Sequence, residues 1–204
     1  MGELIAFTGS NNQMTTYEEL YREYLDDRTL VINGDIDETI IEDFILYILK
    51  WNKEDLNIPA DSRRPIKIYI SSPGGNVFNA NIFVDVIETS VTPVIGIALD
   101  LVASAAFHIY LACHKRYAFK NSTFLQHDGE IFLDNSRKKV KDTMRFFDEG
   151  EERLKEHILS HTTMDEKFYD SIYADEFWFY SQQGKELGVV HKIIGEDCDI
   201  NEIF

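Results

Sequence analysis

Basic residues are scarce in this chain: Lys and Arg number 20 against 36 Asp and Glu, for a formal charge of −16. A field of that sign repels phosphate backbones and anionic lipid headgroups, so neither nucleic acid nor a membrane surface is an expected partner. Cysteine is scarcer still. Cys113 and Cys198 show no metal-ligand spacing and make no disulfide framework in a chain of 204 residues, which fits a reducing, cytoplasmic setting. The opening Met1-Gly2-Glu3-Leu4-Ile5 has neither a basic stretch nor a long apolar one, so no secretory signal is expected. Alanine at position 6 denies Gly2 a myristoylation context. A clean membrane-length apolar run is also missing. Pro93–Cys113 comes nearest, but Asp100 and His108 interrupt it and its first residues are β-branched, so it reads as a buried strand followed by a buried helix. There is no internal repeat and no low-complexity tract.

What is present can fill one sizeable core: 44% of residues are hydrophobic, with Phe 14 and Tyr 10. Residues 1–16 carry little periodicity and several Gly, Asn, Thr and Ser, and read as a flexible arm before a single domain over 17–204. Within that domain the element types alternate. Tyr17–Leu25 is a short helix, and Thr29–Ile32 is a short buried strand stopped by Asn33-Gly34. After Asp37 as N-cap, Ile40, Ile41, Phe44, Ile45, Ile48 and Leu49 recur at helical spacing. A polar connector, Asn52–Pro65, leads to the strand Ile66–Ile70. The Pro73-Gly74-Gly75 turn opens a helix with a predicted buried stripe of Phe78, Ile82, Phe83, Val86 and Ile87. Pro93–Ala98 reads as strand, Ser104–Leu111 as helix, and Tyr117–Phe119 and Thr123–Leu125 as strands. This rhythm implies an α/β fold with a mainly parallel sheet and crossover helices.

The C-terminal third changes character. From Arg137 to about His161 charged residues crowd around a thin apolar stripe of Val140, Met144, Phe147, Leu154 and Ile158. That composition predicts a long helix projecting from the globule or lying against a partner subunit, within a handle region of about 130–163. Phe177–Phe179 reads as a last strand, and Gln182–Leu187 as a short helix ended by Gly188.

Three features carry chemistry. Ser104 stands among alanines at the predicted start of a helix, where small neighbours admit substrate and the helix N-terminus favours developing negative charge. Alone, such a serine equally fits close helix packing. Of the six histidines, His108 and His114 fall in or beside the buried helix, and His157 and His161 fall on the charged helix, where solvation is expected. His191 follows Val189-Val190 near the C-terminus. His127 differs because it ends an apolar strand and precedes Asp128-Gly129, a position at which sheet proteins present catalytic groups. Gly74-Gly75 is by itself a turn, yet glycines after a strand also let a backbone N–H face an oxyanion unobstructed. A serine hydroxyl needs an adjacent base, usually an imidazole that a carboxylate orients, and these three signals together supply most of that set.

The combination resembles the ClpP family, the proteolytic subunits of the Clp protease, which are serine peptidases of the crotonase-like fold. The similarity runs from about Tyr17 to Ile194. Its anchors are Asp27-Arg28 to Gly34, Ile68 through Gly75, Ala103-Ser104-Ala105, Lys115-Arg116-Tyr117 leading to Gln126-His127, and Lys185 through Val190. The resemblance implies Ser104 as nucleophile, His127 as general base and the N–H groups of Gly75 and Ala105 as oxyanion hole. Counting back from Gly188 places Glu176 where the family usually has aspartate, with Asp175 one position earlier as the substitute. It further implies a cofactor-free hydrolysis of unfolded polypeptide, a homo-oligomer of two stacked heptameric rings interleaved by the Arg137 helix, and an AAA+ unfoldase as partner.

Three departures mark a divergent member, such as a phage or accessory paralogue. Asp100 replaces the family's usual glycine four residues before the nucleophile, Asp128 stands where Gln-Pro is usual, and the connector before Ile66 is longer. Two rival readings follow. One is a catalytically weak or inactive assembly subunit, in which Asp100 and the displaced carboxylate spoil the site. The other is an acyl-CoA-processing enzyme of the same broad fold, for which no basic cluster to hold nucleotide phosphates is evident.

Overall fold

The computed structural model of the chain describes residues 15–129, 134 and 136–204. Most of the expected arm, and positions 130–133 and 135 of the handle region, lie outside the described residues. Thr15 and Thr16 belong to structure rather than to the arm. The Thr15 hydroxyl accepts from Glu18 N–H while the Glu18 carboxylate accepts from Thr15 N–H, a reciprocal cap that starts α1 (Thr16–Asp26).

Among the described residues seven strands form one sheet. β1 (Thr29–Asn33), β2 (Ile66–Ser72), β3 (Val94–Ala103), β4 (Lys115–Phe119) and β7 (Lys192–Ile194) run parallel in the order β1-β2-β3-β4-β7. β3 is the longest of these strands and, on the edge away from β2, serves two neighbours. Ile95–Ala98 pairs with β4, and Leu101–Ala103 pairs in parallel with β5 (Thr123–Gln126), which in turn holds β6 (Phe177–Tyr180) antiparallel. The mainly parallel α/β architecture expected from the alternation is therefore present. Strands covered on both faces need near-continuous apolar runs, and Ile66, Ile68, Ile70, Val94, Ile97 and Ala98 are completely buried.

The helices follow the predicted order, with informative differences. Asp37 accepts from Thr39 N–H in a local turn, and the helical run opens with a widened i→i+5 turn over Ile41–Ile45 before α2 (Leu46–Asp55). Ile40, Ile45 and Ile48 are buried whereas Ile41 and Leu49 are half-exposed. The five-residue spacing from Ile40 to Ile45 explains the wide turn, because a regular α-turn would carry one of the two away from the core. In α3 (Val77–Glu88), capped by the Asn76 side chain, the buried face is Ala80, Phe83, Val84 and Ile87. Phe78 and Ile82 are turned outward, contrary to the expected stripe, and Phe78 packs beside Phe146 and Phe147 of α5 (Arg137–His161). The small Ala80 faces inward because α3 lies close against α4 (Ala105–Ala112), every residue of which is buried. α6 (Glu166–Ile172), capped by Asp165, and β7 had no expectation. α7 (Ser181–Glu186) ends before Gly188, whose φ of 73° suits glycine.

Arg116 fastens the C-terminal third to the sheet. Its guanidinium is buried yet donates to the carbonyls of Leu111, His161, Gly188 and Val189. Partners on all these segments compensate the burial of one charge.

Candidate active site

β3 delivers Ser104 and α4 begins immediately after it. At the junction Ser104 has φ 53° and ψ −125°, a conformation that costs a non-glycine residue on the order of 1–3 kcal/mol and persists only where surroundings impose it. Here the neighbouring strand imposes it: Ser104 N–H donates to Leu125 O at 3.0 Å, and Phe107 N–H takes the Ser104 carbonyl at 2.9 Å. Because β5 runs beside the end of β3 in parallel register, the chain passes Leu125 and brings His127 alongside the hydroxyl. His127 Nε2 lies 2.8 Å from Ser104 Oγ. The Gln126 side-chain amide donates to His127 O at 3.1 Å and steadies the strand end.

The glycine loop comes from β2. Gly74 and Gly75 have φ of 102° and 145°, a region open to glycine and strained for other residues. Space imposes glycine as well. A Cβ on Gly74 would stand 2.7 Å from Ser104 Cβ and 3.0 Å from Ala105 N, and one on Gly75 would run into the Ile36 backbone. Ile36 grips the loop from its far side, donating to Gly74 O and accepting from Asn76 N–H, both at 2.7 Å. Among the described residues neither Gly75 N–H nor Ala105 N–H donates to another group. The hydroxyl, the imidazole and the glycine loop predicted from sequence are thus brought together.

The carboxylates are placed differently. Asp175 and Glu176 are both exposed on the stretch between α6 and β6. Glu176 Oε2 accepts from the Trp178 indole N–H at 3.1 Å, and among the described residues neither carboxylate bonds the His127 ring. Register nevertheless separates the two. Gln126 pairs with Phe177 in the β5–β6 ladder, so the next opposed positions are 127 and 176, and directly opposed residues share a face of an antiparallel pair. Asp100 accepts from Leu101 N–H at 2.6 Å, and the Ser71 hydroxyl, followed by that N–H, holds its carboxyl below the usual range. Asp128 is exposed.

The remaining histidines divide. His108 is 5% exposed, and burial, followed by the neighbouring His157 and His127, pushes its pKa down to about 3, so it stays neutral. His114 Nδ1 accepts from Val94 N–H and His191 Nδ1 from Arg116 N–H, which are structural roles. His157 and His161 are not solvated as expected. The last turns of α5 pack toward α4 and α3, and both rings converge on the Glu88 carboxylate at 3.1 and 3.4 Å. Their i, i+4 spacing was visible in the sequence, but nothing there tied it to Glu88.

Comparison with known proteins agrees with this geometry. The Clp protease family matches residues 11–197. Two relatives named ATP-dependent Clp protease proteolytic subunit 2 are each 27% identical: that of Treponema pallidum over 88% of both chains, and that of Treponema denticola over 94% of both. A mutant ClpP1 from Listeria monocytogenes shares the fold with a TM-score of 0.75 at 24% identity, over 91% of this chain and 99% of its own. Among the described residues no helix is long and apolar enough to cross a membrane. The serine, imidazole and glycine loop therefore sit in a framework of known kind, and the chain belongs to the Clp protease family as a divergent ClpP-type serine peptidase.

Proposed function

We propose that Ser104, His127, Gly75, Ala105 and Glu176 form the hydrolytic centre of an endopeptidase acting on unfolded polypeptide. The observation that carries this reading is the 2.8 Å separation of His127 Nε2 and Ser104 Oγ at a strained strand-to-helix turn. Ser104 Oγ attacks the peptide carbonyl carbon as its proton passes to His127 Nε2. The carbonyl oxygen becomes an anion facing the Gly75 and Ala105 N–H groups and the start of α4. The carbon–nitrogen bond then breaks, and His127 returns the proton to the departing amine. Water adds to the acyl-serine by the same route, releasing the new carboxyl end and restoring the hydroxyl. Each step uses side chains and amides of this chain alone.

Glu176 is the orienting acid in this reading, supported by its register opposite His127, with Asp175 the substitute one residue away. Its present bond to Trp178 is an exposed one that a rotation of the carboxylate breaks. The inactive-subunit reading rests on Asp100 and on the displaced carboxylate: Asp100 is engaged with Ser71 and Leu101, and the Glu176 carboxylate meets His127 only after that rotation away from Trp178. Substrate binds as an added strand beside the Gly75 segment, where main-chain bonds give broad sequence tolerance. The relatives' names make their proteolysis ATP-dependent. By that likeness this chain assembles into stacked rings, seven subunits each, with the α5 handle between them, and receives chains from an AAA+ unfoldase in the cytoplasm.

The test is labelling of the purified chain with a fluorophosphonate, beside hydrolysis of a short fluorogenic peptide and measurement of mass in solution. Modification at Ser104 with peptide turnover is the expected result. An inert chain that still forms rings would leave an assembly subunit instead.

A further inference from the structure

The Glu88, His157 and His161 cluster at the base of the handle takes no part in hydrolysis, and its hydrogen bonding is unusual. His157 Nε2 lies 3.0 Å from His108 O, and His161 Nδ1 lies 2.8 Å from His157 O. Backbone carbonyls only accept, so each of these ring nitrogens carries the hydrogen. In the neutral imidazoles the other nitrogens, His157 Nδ1 and His161 Nε2, are then bare lone pairs. Both face the same oxygen, Glu88 Oε1, at 3.1 and 3.4 Å. Three acceptors therefore point at one another with no donor between them, and a cation is what the arrangement lacks.

We propose that Glu88, His157 and His161 form a binding site for a borderline divalent cation of the zinc class. The spacing fits: donors each about 2.0–2.1 Å from a tetrahedral ion lie roughly 3.3 Å apart, and all three ligand atoms lie within 4.8 Å of one another. Two imidazoles and one carboxylate select zinc, cobalt or nickel over magnesium or calcium. The carbonyls of His108 and His157 are the outer partners that fix ring orientation and tautomer, a requirement that ligating histidines generally meet. The cluster opens on a cleft of about 740 Å³ also lined by His114, Arg153, Glu156 and Ser160, so water can complete the coordination. Arg153 opposes a cation there and Glu156 favours one. The nearby Arg116 is committed to backbone carbonyls. The site joins the end of α3, which begins just after the glycine loop, to the end of the handle helix and to the α4 backbone one turn beyond Ser104. Occupancy therefore clamps the handle base onto the two helices that flank the reactive serine.

The experiment is titration of the metal-stripped full chain with zinc chloride by calorimetry, with cobalt(II) chloride as an optical probe. One equivalent of zinc per chain is expected, with cobalt giving visible bands of a four- or five-coordinate ion. Millimolar magnesium should neither compete nor bind. H161Q and E88Q change partly exposed side chains and should retain the native circular dichroism while losing at least tenfold in zinc affinity. The zinc-dependent rise in thermal midpoint should vanish in both. Absence of saturable uptake by the wild-type chain, or uptake undiminished in folded H161Q and E88Q, overturns the proposal. In that event the cluster is an ion pair between Glu88 and protonated imidazole. None of these readouts depends on peptidase activity.

Discussion

The two halves of the proposed hydrolytic centre are built by different means. Ser104 and His127 stand on adjacent parallel strands whose ladder, Leu101 with Thr123 through Ala103 with Leu125, continues into the Ser104 N–H bond to Leu125. Their separation is fixed by sheet geometry. The acid half, Asp175 and Glu176, lies exposed beyond the last rung of the antiparallel β5–β6 pair, with Glu176 bonded to Trp178. Groups held by a central ladder are preorganised, whereas groups past the end of an edge pair depend on whatever later packs against them. The proposed nucleophile and base are thus positioned by the ladder itself, whereas the proposed orienting acid meets the imidazole only after its side chain leaves Trp178.

Removing either member of the built half should have the largest effect. Ser104→Ala and His127→Ala should each lower kcat/KM on a fluorogenic peptide by on the order of 10⁴-fold or more, with little further loss in the double variant, because the two act as a unit. Additive losses would break the pairing. The next largest effect belongs to the acid half. Glu176→Gln should lower kcat/KM by on the order of 10²- to 10⁴-fold, while Asp175→Asn should change it by less than about fivefold, since only position 176 opposes His127 in register. A reversed ranking would assign the role to Asp175 and show that β6 shifts by one residue in the working enzyme.

The glycine loop belongs with the built half, and substitution there tests how tightly that half is made. Gly74→Ala places a methyl group against Ser104 Cβ and Ala105 N in a left-handed backbone, which should destabilise the fold by about 1–3 kcal/mol and displace the oxyanion amides. Denaturant titration gives the first quantity, and kcat at saturating peptide should fall at least tenfold. Unchanged stability and rate would mean that the loop is not pressed against the nucleophile.

The same contrast governs what could be read before folding. Ser104, His127 and Gly75 were legible because each ends a strand or opens a helix, and strand ends in a parallel sheet gather at one edge. The strands over Ile66–Ile70 and Thr123–Leu125 were found to within a residue or two for a related reason: short runs dominated by β-branched and aromatic residues favour a strand. Helix faces were less legible. Phe78 and Ile82 have the right character for a core, but the core-facing side of α3 is taken by Ala80, Phe83, Val84 and Ile87, and bulk alone does not reveal which side a neighbouring helix covers. α6 carried a readable cap in Asp165, yet seven residues show too little periodicity to stand out, and the three of β7 show less. The Glu88 and His157 pairing joins residues far apart in the chain, so only the docking of α5 exposes it. The choice between Asp175 and Glu176 was the hardest because it rests on a register that an edge strand sets.

The smallest expected effect bears most directly on the acid half. Trp178 sits two residues beyond Glu176 and shares its face, and its indole nitrogen, 3.1 Å from Glu176 Oε2, holds the carboxylate off His127. Trp178→Phe keeps an aromatic opposite Leu125 but removes the donor. An exposed bond of this kind is worth about 1 kcal/mol at most, so the freed Glu176 should raise peptide turnover no more than about fivefold, with unchanged KM because no substrate contact is altered. The rise should disappear in the Glu176→Gln background. A rise that persists there would place the Trp178 effect outside the acid, and a fall in turnover would mean that the indole holds Glu176 near its working position instead of away from it.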